Sequence, residues 1–209
     1  MKGYILALVT FVSLNASAQQ SCYNQAAEIN RGLDADSRLL LDAQRSSANA
    51  AQTANRILRL TYGLRSGQAI DLTRELHPNI DTIRGQVLSS RQAMYNIRSL
   101  LNDINNRSDT SEGVRAIVNN IVANNLGPAE RSADSAMSGA DQLKNQVTSI
   151  NNRLRQGGDT VRIADQIDAE ANLVGRETQF VERTVVKVDQ DLGYTKRRVD
   201  DLARTCSAP

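Results

Sequence analysis

Cys22 and Cys206 are the chain's only cysteines, and His77 is its only histidine. Two thiols can form a disulfide, join a metal site, or act as nucleophiles beside a base. His77 precedes Pro78 and has Asp81 one helical turn later. A His–Asp pair does acid–base work only with a nucleophile or further ligands in reach, and neither is signalled. Carboxylates cluster at Asp34/Asp36, Asp165/Asp168/Glu170, Asp189/Asp191 and Asp200/Asp201, without the spacing of a calcium loop. A di-metal helical site needs paired Glu-x-x-His motifs, which one histidine cannot supply. The chain also lacks a phosphate-binding glycine loop and a nucleophile elbow. The sequence therefore assigns no catalytic residue, metal ligand or cofactor, and reads as a non-enzyme.

The cysteines carry more information through their place in a repeat. Thr160, Ala164, Ile167, Ala171, Val174, Thr178, Val181, Val185, Val188, Leu192, Thr195, Val199, Leu202 and Cys206 follow one another at alternating steps of four and three. That spacing keeps a single stripe on one side of a long helix. Cys22 opens a second seam of the same kind, through Ala26, Ile29, Leu33, Asp36, Leu40, Ala43, Ser47, Ala50, Ala54, Ile57, Thr61 and Leu64. A third runs through Thr73, Leu76, Ile80, Ile83, Val87, Ser90, Met94, Ile97, Leu101 and Ile104. The fourth combines Val114, Ile117, Val118, Ile121, Val122 and Leu126 with Ala133, Ala136, Ala140, Leu143, Val147, Ile150 and Leu154.

These seams predict four helices, over about 22–64, 69–106, 111–156 and 159–205. Gly67 and Gly157-Gly158 mark stops, and Asp159 or Thr160 is expected to cap the last helix. Ser108 or Asp109 is the expected cap of the third, and Gly127-Pro128 should break it and restart it. His77-Pro78 interrupts the backbone of the second without disturbing its phase. Each segment of about forty residues reaches roughly 60 Å at the standard rise. Short connections between such lengths force antiparallel neighbours. The expected fold is an all-α, elongated, antiparallel up-down four-helix bundle of coiled-coil character. Its first and last residues return to one end, where Cys22 and Cys206 pair.

Residues 1–18 read as a cleaved signal peptide: a basic start at Lys2, an apolar run from Tyr4 to Leu14, and small residues at Ala16-Ser17-Ala18. Residues 19–209 then form a single helical-bundle domain, exported to a periplasm or the extracellular space, where a disulfide persists. The formal charge of +2 argues against nucleic acid as a partner. Arg31, Arg38 and Arg45 recur every seven residues, as do Arg84, Arg91 and Arg98. Such rows read as solvated flanks pairing with acidic neighbours. Asn106-Arg107-Ser108 forms a glycosylation sequon in a predicted loop.

One local feature stands apart. Ser47, Ala50 and Ala54 in the first helix, and Ala133 and Ala136 in the third, form a belt of small residues, with Phe180 offered at a similar height. Such a belt is either filled by large neighbours or left as an apolar slot or soft region. Asp36 on its seam is expected in a wet layer near the cysteine end. Aromatic residues make up only 3% of the chain, which disfavours a concave active site. The expected function is a structural, spacer or macromolecule-binding protein whose partner is another protein. The alternative is a membrane-active or lipid-carrying bundle, and self-association is open to either.

Overall fold

A computed structural model describes the backbone of residues 2–62, 66–156 and 160–207; side chains are described from Gln20 onward, except 58, 60–69, 157–164, 167 and 168. The helices are α1 (Lys2–Tyr62), α2 (Ser66–Asn106), α3 (Glu112–Ile121), α4 (Gly127–Gln156) and α5 (Thr160–Ser207). A single π-turn, Val122–Leu126, joins α3 to α4. Four helical runs thus account for the described chain, with no strand among the described residues. The side chains of residues 1–19, those of the seam residues Thr61, Leu64, Thr160, Ala164 and Ile167, and the expected stops at Gly157 and Gly158 lie outside the described residues. Gly67 does not act as a stop: it lies in the first turn of α2, and α1 ends earlier, at Tyr62.

Further local expectations need correction. Gly127-Pro128 does not break the third run. Gly127 is helical at φ −58°, ψ −44°, and its N–H bonds the Val122 carbonyl five residues back. Pro128 has no N–H for the carbonyl of residue 124, and its ring crowds that carbonyl. Widening the preceding turn absorbs the conflict without ending the helix. The extra residue resets the phase: buried positions step by five from Ile121 to Leu126, then resume at Ala129 and Ala133. The cap of α3 is Ser111, whose Oγ accepts from the Val114 N–H at 3.3 Å. Asp109 is unavailable because both its oxygens take hydrogen bonds from Arg107, at 3.0 and 2.9 Å. Pro78, by contrast, lies within the unbroken α2, on an exposed face where a missing donor costs least, and Leu76, Ile80 and Ile83 around it stay buried.

The chain divides into two compact units. The first comprises residues 1–37, 92–130 and 190–209. Here Cys22 and Cys206 form a disulfide across 184 residues of sequence, with Cα atoms 5.7 Å apart. Above it Asn30 Nδ2 donates to Asp200 Oδ1 at 2.7 Å, and Lys196 Nζ donates to Asp34. Partners advancing along α1 therefore retreat along α5, which makes the two antiparallel. Ile29, Leu33, Met94, Ile97, Leu101, Ile104, Val118, Ile121, Leu126, Leu192, Val199 and Leu202 fill its core.

The second unit comprises residues 38–91 and 131–189. Along its α2–α4 flank Asp81 accepts from Lys144 at 2.7 Å, Arg84 donates to Asp141 at 2.7 Å, and Arg91 donates to Asp134 at 2.5 Å. Again the partners run in opposite directions. α2 and α5 bring Leu76, Ile80, Ile83, Val87, Val174, Val181, Val185 and Val188 to the core, while α1 and α4 bring the small residues Ala43, Ser47, Ala50, Ala54, Ala133, Ala136 and Ala140 together with Leu40, Ile57, Leu143, Val147 and Ile150. Along the stretch of small residues, larger side chains from α2 and α5 are available to fill the space they leave. Three seam hydroxyls are satisfied locally: Ser47 donates to Gln44 O, Thr73 to Ile70 O and Thr178 to Val174 O, at 2.8, 2.6 and 2.6 Å, whereas the buried Ser90 Oγ makes no hydrogen bond among the described residues. Asn151 Nδ2 also donates to Thr73 Oγ1 at 2.5 Å, a buried α2–α4 bond of the kind that fixes register between helices.

Candidate functional site

Heptad geometry decides which side chains reach the surface. Each residue of an α-helix turns about 100° from the last, so the neighbours of a seam residue cannot share its direction. Val181 is on the α5 seam and fully buried; Phe180, one residue earlier, is turned out and stands 48% exposed. This separates the residues expected in the belt. Ser47, Ala50, Ala54, Ala133 and Ala136 are filled core, none more than 1% exposed, whereas Phe180 lies outside it.

Phe180 instead borders an open groove of about 550 Å³ on the second unit, lined also by Asp134, Ser135, Ser138, Gly139, Gln142 and Glu177. Gly139 sets how deep this groove is. A Cβ there would stand 2.9 Å from Val181 Cγ2 and 3.1 Å from both Glu177 Oε1 and Phe180 Cδ1. Only glycine lets α5 and its two outer side chains come this close to α4 without displacement. Asp134 in the groove is committed to Arg91. Glu177 has no hydrogen-bond or ion-pair partner among the described residues, and partial burial raises its carboxyl pKa above the ordinary value.

The first unit carries a second open groove of about 600 Å³, between Tyr23, Ala27 and Asn30 on α1 and Asp200, Ala203, Arg204 and Ser207 on α5. Its polar groups are largely engaged already: Asn30 with Asp200 across the groove, and Arg204 with Asp201 beside it at 2.6 Å. Nearby, the α2–α3 turn is held by a knot of bonds. Arg107 grips Asp109 and reaches Ser21, while Arg115 Nη2 donates to the Arg107 carbonyl at 3.0 Å. The Arg107 hydrogen bonds hold the Asp109 carboxyl below its usual range. Asn106, the sequon residue, closes α2 in an exposed position.

Several of the remaining chemical candidates have structural partners. Asp81 serves Lys144 rather than His77. Glu170 is paired with Arg153 at 2.8 Å, and Asp201 with Arg198 and Arg204. No group of three metal-ligating side chains occurs among the described residues. Arg84, Arg91 and Arg98 do pair with acids on α4, Arg98 through two bonds to Glu130 at 2.9 and 2.6 Å; hydrogen bonding to Glu130 is the main cause of its raised pKa. Asp36 departs from expectation. It is not in a wet layer but 1% exposed, because Leu33 and Leu40 on the same seam are themselves enclosed.

The described aromatic residues share one property. Tyr23, Tyr95, Phe180 and Tyr194 are all exposed, between 45% and 67%, while the buried side chains are aliphatic, small or polar. Arg197 lies over the Tyr194 ring at 4.5 Å from its centroid. The sequence offered a signal for this that was not used: none of the four lies on a seam. Gly139 and Glu177 carried no comparable signal, since a close approach between helices shows only in three dimensions. No protein-family model and no curated protein matches this chain.

Proposed function

We propose that the protein is an exported, non-enzymatic helical bundle that works by binding another protein along its surface. The observation that carries this reading is the placement of the aromatic residues. A chain with few of them leaves Tyr23, Tyr95, Phe180 and Tyr194 at the surface and builds its core from aliphatic side chains. Large aromatic surface is disfavoured in water but is the main source of binding energy at protein interfaces. Export is supported by the layout of residues 1–18 and by a disulfide that an oxidising compartment would preserve. No described helix is long and apolar enough to cross a membrane.

The test compares baits. Immobilised wild type and a Tyr95→Ser/Phe180→Ser double variant are exposed to the extracytoplasmic fraction of the source cells. A protein retained by the wild type and lost on the variant supports the reading. Equal retention on both, or association with lipid vesicles instead of protein, contradicts it. N-terminal sequencing of exported chain should start at Gln19, and an intact Met1 would remove the signal-peptide assignment.

A further inference from the structure

We propose that the groove over Gly139 receives an arginine or lysine side chain of the protein partner, held between the Glu177 carboxylate and the Phe180 ring. The inference rests on the reading of the protein as a binding module and names what one of its surfaces recognises.

The α4–α5 flank shows what is missing there. Arg153 on α4 pairs with Glu170 on α5 at 2.8 Å. One heptad further along α5 the equivalent acid is Glu177, and one heptad back along α4 the equivalent of Arg153 is Gln146. The antiparallel repeat thus supplies an acid without its base. Gln146 does not fill the role: it is neutral, and no hydrogen bond from it to Glu177 is present among the described residues. Glu177 is left part-buried with desolvation as the only influence acting on its carboxyl. Its Oε1 and the Phe180 ring both close on Gly139. A carboxylate beside an aromatic ring recognises a cation twice over, by charge-assisted hydrogen bonds and by the ring quadrupole. The open groove leaves room for the alkyl stem that such side chains bury.

Phe180 is the only phenylalanine from Gln19 onward, so the exported chain labelled with 4-fluorophenylalanine has one fluorine resonance, which Phe180→Leu should remove. Titration with N-butylguanidinium should shift the Phe180 resonance saturably, and neutral butylurea should not. Glu177→Gln should weaken binding about tenfold. Gln146→Arg should supply the internal cation and suppress the shift, with helical circular dichroism unchanged in both variants. The peptide acetyl-Gly-Arg-Gly-amide should reproduce the guanidinium shift. No shift, equal shifts with butylurea, or an unchanged affinity in Glu177→Gln would overturn the proposal, as would a response to phosphocholine vesicles in place of the peptide. If the groove is silent while the Tyr95→Ser/Phe180→Ser bait still loses a partner, this inference falls alone. If the groove binds the peptide and wild type retains no protein, the wider reading falls instead.

Discussion

In the unit holding the chain ends, the buried positions are taken by Ile29, Leu33, Met94, Leu101, Leu126 and Leu202, and a disulfide closes it. In the unit from Arg38 to Arg91 and Arg131 to Asp189, two helices contribute a run of alanine and serine beside Leu40, Ile57, Leu143, Val147 and Ile150, and no covalent link is present among the described residues. The same heptad steps serve both. The first unit relies on side-chain volume and a cross-link; the second relies on fit, since small residues opposite large ones leave little room for error. The first should therefore tolerate apolar exchanges and suffer on loss of the disulfide, and the second should do the reverse.

The largest effect expected is from Cys22→Ser/Cys206→Ser. Opening a 184-residue loop should remove stability approaching about 5 kcal/mol, read from urea unfolding under non-reducing conditions. A loss under about 1 kcal/mol would show that the cross-link does not distinguish the two units. Next come the small residues. Ala50→Leu or Ala136→Leu in the second unit should each cost about 1–3 kcal/mol by overpacking, whereas Met94→Leu in the first should cost less than about 1.5 kcal/mol. Similar losses at all three sites would erase the contrast in packing. Asn151→Ala removes the buried bond to Thr73 and should cost about 1 kcal/mol in thermal or urea unfolding. Arg91→Ala, at a half-exposed ion pair, should cost no more than about 1 kcal/mol, and less as salt is raised.

The smallest effects have opposite signs in the two units. Burial raises the Glu177 pKa, so its charged form opposes folding at neutral pH, and that penalty is relieved as pH falls below the ordinary glutamate range. Glu177→Gln should accordingly be slightly more stable than the parent at pH 7, with the gap closing by about pH 4. Arg107 lowers the Asp109 pKa, so the charged form favours folding above the ordinary aspartate range, and the benefit is lost as pH falls through the lowered value. Asp109→Asn should be slightly less stable at pH 7, with its gap also closing in acid. Thermal unfolding across pH checks both, and a shared sign would contradict the assigned environments.

The seams were readable because a repeat of three and four leaves few alternatives. Their residues are buried almost throughout, including Asp36, where the pattern was more informative than the residue type. The cysteine pairing followed from helix lengths and short connections. The partners of Arg84, Arg91 and Arg98 were readable as a class but not by name, because pairing across helices depends on register. The π-turn was half visible. Pro128 announced a conflict, and the step of five from Ile121 to Leu126 recorded its solution, but the choice between breaking and widening a helix rests on tertiary packing. Ser111 was hidden behind nearer-looking caps until Arg107 claimed Asp109. The groove over Gly139 was not readable, since it depends on how closely α4 and α5 approach.

The fold itself is tested most directly by proteolytic mapping of the unreduced, thiol-blocked protein by mass spectrometry. The account predicts one linked species joining the Cys22 peptide to the Cys206 peptide within a single chain, and no alkylated cysteine. Two alkylated thiols, or a link found only between chains, would contradict the antiparallel return that brings the ends together.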